Sequence, residues 1–182
     1  TYHQQIYAID VAVGMIREAL QKSGTDKNTV IIYTSDNGFF CGSHGYGSKV
    51  LPYEESSRVP LIIYDPRHPN SGKKLRTSAL TGNIDFAPTI LSLAGISSPE
   101  NMDGKNLMTV YNKPTSSLHH SLPLINVWGK EPTHALGVVT EEMKYLYWGY
   151  AEKGFKPSNE LYDLKKDPLE KSNQFSSSEY TK

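Results

Sequence analysis

Thr29-Val30-Ile31-Ile32-Tyr33-Thr34 is a β-branched, largely apolar run with no polar alternation, and it stops at Asp36-Asn37-Gly38. Successive strand residues face opposite sides of a sheet, so a strand apolar throughout needs cover on both faces, the situation of a parallel sheet between helices. A second run of this kind, Pro60 to Tyr64, follows a loop marked by Gly38, Gly42, Gly45 and Gly47, and Ser78 to Thr81 reads as a third short strand. Helical patterns flank these runs. Ile6, Ile9, Val13, Ile16 and Leu20 recur at spacings of three and four and place one apolar stripe on a helix that closes near Ser23-Gly24. Asp85 to Ala94 predicts another helix, with Asp85 as N-cap, Pro88 in the first turn and Gly95 at the end.

Beyond Pro99 the character changes. A short helix is expected within Gly104 to Tyr111, then a loop rich in Pro, Ser and His. Ala135 to Thr140, Lys144 to Tyr150 and Glu160 to Leu164 follow as short aromatic and β-branched runs, the pattern of a small antiparallel sheet. The expected fold is therefore α/β: part of a mainly parallel sheet flanked by helices over 1–112, then a small antiparallel subdomain over 113–182, with a frayed serine-rich tail from Ser172 to Lys182.

The 182 residues suffice for a packed core, and 19 basic against 19 acidic residues leave no net charge to draw nucleic acid or an anionic membrane. No apolar run is long enough to span a bilayer as a helix. Cys41 is the only cysteine, so no intrachain disulfide forms. It reads as a small buried loop residue. The chain starts at Thr1, with a helical pattern already running by Ile6, and is expected to begin inside a longer protein.

In open α/β sheets, ligands bind beyond the carboxyl ends of strands, where Asp36 and Asn37 are expected. Both offer oxygen, which suits calcium or magnesium better than zinc. Asp-Asn-Gly is also an ordinary turn sequence, and alone it decides nothing. Glu54, Glu55 and Arg58 stand at spacings that form a salt-bridged turn. His119-His120 has no third ligand at a sensible spacing and reads as solvated; Trp128 and Trp148 read as core of the small sheet.

The order Ser35-Asp36-Asn37-Gly38, Gly42-Ser43-His44-Gly45, Lys49, Tyr53-Glu54-Glu55 and Arg58-Val59-Pro60-Leu61 resembles the sulfatase family. So do Ile9-Asp10-Val11-Ala12-Val13-Gly14, Asn83 to Leu91 with Leu93-Ala94-Gly95, Met102 to Leu107, and Glu160-Leu161-Tyr162-Asp163-Leu164 with Asp167-Pro168. The resemblance implies that Asp36 and Asn37 are calcium ligands in a site completed by acidic residues from an earlier part of the chain. It implies that Lys49 holds a sulfate oxygen, a task suited to a compact point charge. His44 stays open between two readings: contact with substrate or proton donation to the leaving alcohol, and a structural role in a glycine-bounded turn. Family resemblance also suggests an exported, periplasmic or lysosomal protein.

Family members use a formylglycine nucleophile made within a Cys/Ser-x-Pro-x-Arg motif. Cys41 is followed by Gly42-Ser43-His44-Gly45 and is not that residue, so the nucleophile is expected upstream. Three functions compete on this reading. The first is a fragment of a sulfate ester hydrolase, with a carbohydrate among the candidate substrates, inactive as an isolated chain. The second is a phosphodiester or phosphonate hydrolase of the same superfamily, disfavoured because these commonly have histidine where Asn37 stands. The third is a non-catalytic module for sulfated glycans. Exposed sheet surface in such a fragment also predicts self-association.

Overall fold

The apolar stripe of Ile6 to Leu20 becomes a regular helix in the computed structural model, which describes residues 1–180. Helix α1 spans Tyr2–Ser23 and ends at Gly24, whose left-handed backbone (φ 71°) lets its N–H reach the carbonyls of Gln21 and Leu20. The stripe is uncovered among the described residues: Ile6, Ile9 and Ile16 are each about half exposed.

By internal contacts the chain divides into two units, Thr1–Thr34 with Leu61–Leu75, and Ser35–Pro60 with the chain from Arg76 onward. In the first unit, β1 (Ile31–Tyr33) pairs with β2 (Ile62–Tyr64), Ile32 opposite Ile63. The pairing is antiparallel, not parallel as expected. A continuous apolar run reports the demand for cover on two faces and says nothing of strand direction. That demand is only partly met here, since β1 is half-buried and Ile62 and Tyr64 are exposed. Asp65 closes the strand by accepting from the Arg67 guanidinium at 2.9 and 3.1 Å and from the Arg67 backbone N–H at 3.0 Å.

The second unit holds α2 (Glu54–Ser57), α3 (Phe86–Leu93), α4 (Met108–Asn112) and a four-stranded antiparallel meander of β3 (Leu122–Asn126), β4 (Ala135–Val139), β5 (Met143–Trp148) and β6 (Ser158–Asp163). The sheet joins three strands expected from sequence to one that was not. β3 was hidden by Pro123, which cannot donate to a ladder but is tolerated on an edge strand, the place β3 occupies. Ser78 to Thr81 makes only an isolated bridge, Leu80 to His119.

One face of the meander is covered. Leu124, Gly137, Leu146 and Glu160 lie opposite one another across the four strands, and Lys144 lies opposite Tyr162. Leu146 and Tyr162 form a core with Phe40, Leu51 and Tyr53 from the loop before α2, with Trp148 packed against it. Trp148 therefore serves the core as expected, whereas Trp128 does not: it follows β3 and is 70% exposed.

Two further expectations are corrected. His119 is buried, its Nε2 2.8 Å from Asp85 Oδ1, while His120 is exposed. Asp85 is fully buried; its carboxylate accepts locally from the Gly82 N–H (2.8 Å) and across the fold from the Lys105 N–H (2.7 Å). Spacing alone could not place a histidine from residue 119 beside an aspartate 34 positions earlier. The stretch expected to fray from Ser172 is tied down as far as Tyr180, which donates to Asp163 Oδ2 at 2.8 Å, beside a Lys166–Glu179 ion pair at 2.5 Å. Thr181 and Lys182 lie outside the described residues.

Candidate functional site

After Thr34 the chain turns through Ser35-Asp36-Asn37-Gly38, and each polar side chain of the turn has a defined task. Asp36 Oδ1 accepts the Asn37 backbone N–H at 2.9 Å, and the Ser35 hydroxyl donates to the Asn37 carbonyl at 2.8 Å. The Asn37 amide nitrogen donates to the Gly38 carbonyl at 2.8 Å, which turns its oxygen toward Lys49; the ammonium donates to that oxygen at 3.1 Å. Two of the expected site residues, twelve positions apart, are thus in contact. Asp36 is exposed beside them. Asn83, not picked out as a site residue, donates to the Asp36 carbonyl at 3.2 Å and fixes the turn from the short 3-10 turn (Asn83–Asp85) that precedes α3.

Gly38 is needed for a close approach and not for a left-handed turn. A Cβ there would lie 2.0 Å from the carbonyl oxygen of Glu55, while the Gly38 N–H donates to the Ser56 carbonyl at 2.8 Å. The Asp36-Asn37-Gly38 turn is in this way laid directly on α2.

Between the turn and α2 the loop stores strain. Cys41, His44 and Val50 have φ of 51°, 53° and 99°, a region costly for residues with a Cβ and most of all for a β-branched one. Val50 is secured by its N–H on the Ser56 hydroxyl at 3.0 Å. Cys41 is exposed, contrary to the buried role expected of it, because its neighbour Phe40 (1% exposed) takes the buried position and the chain then turns out through Gly42.

His44 makes its contacts with Tyr53 and Glu55. Its ring stacks on Tyr53, centroids 4.5 Å apart and planes within 14°, and Nε2 lies 3.4 Å from Glu55 Oε2. Of the expected salt-bridged turn, the Arg58–Glu54 pair forms at 3.6 Å, whereas Glu55 is turned to His44 instead.

Behind this loop stand residues the sequence reading did not single out. Lys144 on β5 has no exposed surface, and its ammonium reaches Glu54 Oε1 (2.8 Å), the Pro52 carbonyl (3.0 Å) and the Ser57 hydroxyl (3.3 Å). It also lies 2.9 Å from Glu170 Oε1, an ion-pair approach off the hydrogen-bond axis. The second oxygen of Glu170 accepts the Glu54 backbone N–H at 2.6 Å. Burial pushes the Glu170 carboxyl up from its ordinary range, against the pull of Lys144. Glu160 accepts from the hydroxyls of Tyr53 and Tyr162, each at 3.0 Å, and burial with that carboxylate holds both phenols above their ordinary range. One signal for Lys144 was present in the sequence: it is in phase with Leu146 and Trp148, on the covered side of an alternating strand.

His44, Glu55 and Glu170 bring ligand-type atoms within 4.8 Å of one another. The Lys144 ammonium lies 2.9 Å from Glu170 and is shared with Glu54, so the cluster is part of a buried ion-pair network.

The family model for the C-terminal part of N-sulphoglucosamine sulphohydrolase matches residues 42–182. With the motif order above, this settles the class: the chain belongs to the sulfatase family. Among relatives, an N-acetylglucosamine-6-O-sulfatase of Bacteroides thetaiotaomicron is 34% identical over all of this chain and 32% of its own length. A protein solved in complex with its substrate D-glucosamine-2-N,6-O-disulfate superposes with a TM-score of 0.85 at 33% identity, over 97% of this chain and 36% of the other. A phosphonate monoester hydrolase of Agrobacterium radiobacter superposes with a TM-score of 0.77 at 25% identity, over 96% of this chain and 36% of the other. The chain thus spans about a third of the length of these relatives.

Proposed function

We propose that this chain is the C-terminal part of a sulfuric ester hydrolase acting on a carbohydrate sulfate, and that it supplies the enzyme's anion-binding lysine and two of its calcium ligands. The observation behind this reading is the 3.1 Å contact between Lys49 and Asn37. It sets a mobile cation directly beside the turn of oxygen donors, in a chain of the sulfatase family.

The donors present suit a hard cation. Asp36 is an exposed carboxylate, and the Asn37 amide already turns its oxygen toward positive charge. Calcium takes six to eight oxygens, so two residues are a partial set and the remaining ligands are assigned to residues outside this chain. A bound calcium there would polarise the sulfate ester. Lys49 then binds a sulfate oxygen and stays close as charge develops on the sulfuryl group and the bridging oxygen. His44 is proposed to contact the substrate from the same loop, its ring set by Tyr53 and Glu55. The nucleophile, formylglycine in this family, is likewise assigned outside the chain. A substrate such as a 6-sulfated glucosamine follows from the relatives' names and from nothing in this loop.

The test is hydrolysis of glucosamine 6-sulfate by the full protein that contains this chain. Lys49→Ala is expected to lower kcat about 10²- to 10³-fold, the usual effect of losing one transition-state charge contact. Asn37→Ala is expected to raise the calcium concentration needed for half-maximal rate. Unchanged turnover in both variants overturns the reading, and robust turnover of an aryl sulfate by the 182-residue chain alone overturns the placing of the nucleophile. The phosphonate hydrolase likeness supports a second reading in fold only; hydrolysis of a phosphonate monoester in preference to a sulfate ester would establish it.

A further inference from the structure

Loop 38–53 contains three residues with a Cβ in the left-handed region, Cys41, His44 and Val50, and such a backbone persists only where its surroundings over-determine it. Its restraints converge on Tyr53, Glu55 and Ser56. Val50 is secured to Ser56, Gly38 lies on the carbonyls of Glu55 and Ser56, and His44 rests on Tyr53 and Glu55. The loop therefore takes its shape from residues 52–57. Those residues are held in turn by Lys144, which grips the Pro52 carbonyl, the Ser57 hydroxyl and the Glu54 carboxylate, and by Glu170, which accepts the Glu54 N–H and faces Lys144.

A fully buried lysine on the covered face of a sheet needs this compensation, because an ammonium taken from water is costly unless its charge and donors are met. The contacts that meet it all lie on α2, on the residues next to it, and on the segment after β6. An apolar residue in the same place would fill the core without specifying where α2 sits. The same carboxylate of Glu54 also meets Arg58, and Glu55, His44 and Tyr162 are further titratable groups against the network.

We infer that Lys144 is the positioning residue of the Lys49 loop: through α2, with Glu170 as counter-ion, it sets the backbone that brings Lys49 to Asn37. The C-terminal meander is then the frame of the anion site and not an appendage to it. Glu170, in the segment that follows Asp167-Pro168, belongs to that frame. For its catalytic consequence this rests on the proposed role of Lys49, but the positioning itself is read separately.

The experiment uses the isotopically labelled full protein that contains this chain, with its Lys144→Met and Glu170→Gln variants. Amide hydrogen exchange is followed at Gly38, Phe40 and Val50 and, as reference, in the β3–β4 ladder. The side-chain amide resonance of Asn37 reports the Lys49 contact, and inorganic sulfate is titrated into each sample. Lys144→Met is expected to speed exchange at the three loop amides at least tenfold while the β3–β4 amides change less than twofold, and to shift the Asn37 resonance toward that of a Lys49→Ala chain. Glu170→Gln is expected to do the same to a lesser degree and decides the matter if Lys144→Met does not fold. Loop amides as protected as in the parent chain overturn the inference. So does loosening of equal size in the loop and the ladder, which would make Lys144 a general stabiliser. If sulfate perturbs no Lys49 resonance in the parent chain yet the loop loosens in the variants, the anion-site reading fails and the positioning role stands.

Discussion

Helix α1 and strand β5 are both amphipathic and meet opposite fates. The helix has the clearest periodicity in the sequence and buries none of its residues among those described. The strand carries a lysine within its apolar face, and both Lys144 and Leu146 are removed from solvent completely. Periodicity tells which residues share a face; only a partner decides whether that face is covered. The chain supplies the partner for β5 in loop 38–53, and the contrast can be tested wherever the two regions respond differently to the same change.

The largest difference is expected at glycine. At Gly38 a methyl group would meet the Glu55 backbone carbonyl at 2.0 Å, and backbone cannot swing aside as a side chain can. Gly38→Ala should cost about 3 kcal/mol or more, at the upper end of overpacking effects, measured by urea unfolding. Gly14 in α1 has nothing within 4 Å of its would-be Cβ, so Gly14→Ala should add about 1 kcal/mol through helix propensity. Equal effects would mean that the α2 approach is looser than it stands.

The uncovered stripe of α1 gives the second contrast. We expect the 182-residue chain to self-associate through such apolar surface, and Ile9→Glu with Ile16→Glu to shift it toward monomer in sedimentation velocity. An outward change on the meander, Tyr147→Glu, should shift it less; a chain that is monomeric at all concentrations ends this expectation.

The same division explains what the sequence disclosed. Elements with a strong local period, α1 and β5 among them, were legible, as was the α3 helix with its Gly95 stop. What depended on tertiary pairing was not. The direction of β1 against β2, the edge strand β3 disguised by Pro123, and the burial of His119 against Asp85 are decided by residues far apart in the chain. At the candidate site, motif order pointed to Asp36, Asn37 and Lys49, two of which the structure brings into contact. It missed Lys144, Glu160 and Glu170 because charged residues on a sheet are usually solvated, and only in-phase neighbours mark this lysine as an exception.

Acid should separate the two units by sign. Asp65, in the first unit, is held below the ordinary carboxylate range chiefly by the Arg67 side-chain hydrogen bond. A depressed folded-state value gives stability above the unfolded value that is lost as pH falls through the folded one. Glu170, in the second unit, is raised by burial; the folded state there binds the proton more tightly, so stability falls as pH rises from the unfolded value through the folded one. Between pH 3 and pH 6 Ile63 should lose amide protection toward acid, while the urea midpoint of the second unit should rise even as loop 38–53 loosens with loss of the Glu170 charge. Asp65→Asn should remove the first trend and Glu170→Gln the second; trends of the same sign in both units would break the assignment.

The smallest effect is expected at the carboxylate where the contrast between exposed and covered is compressed into one residue. Glu54 is 2.8 Å from Lys144, which has no exposed surface, and 3.6 Å from Arg58, whose side chain is 78% exposed. An exposed arginine one helical turn away competes with water and salt for its partner and loses side-chain entropy on pairing, so such a contact contributes about 0.3–0.5 kcal/mol. Arg58→Ala should therefore change stability by no more than about 0.5 kcal/mol, and that small change should vanish in molar salt. Both cations meet the same carboxylate, so charge alone predicts similar losses and burial predicts a wide gap. An Arg58→Ala loss approaching that of Lys144→Met would mean that Glu54 is oriented from the solvent side.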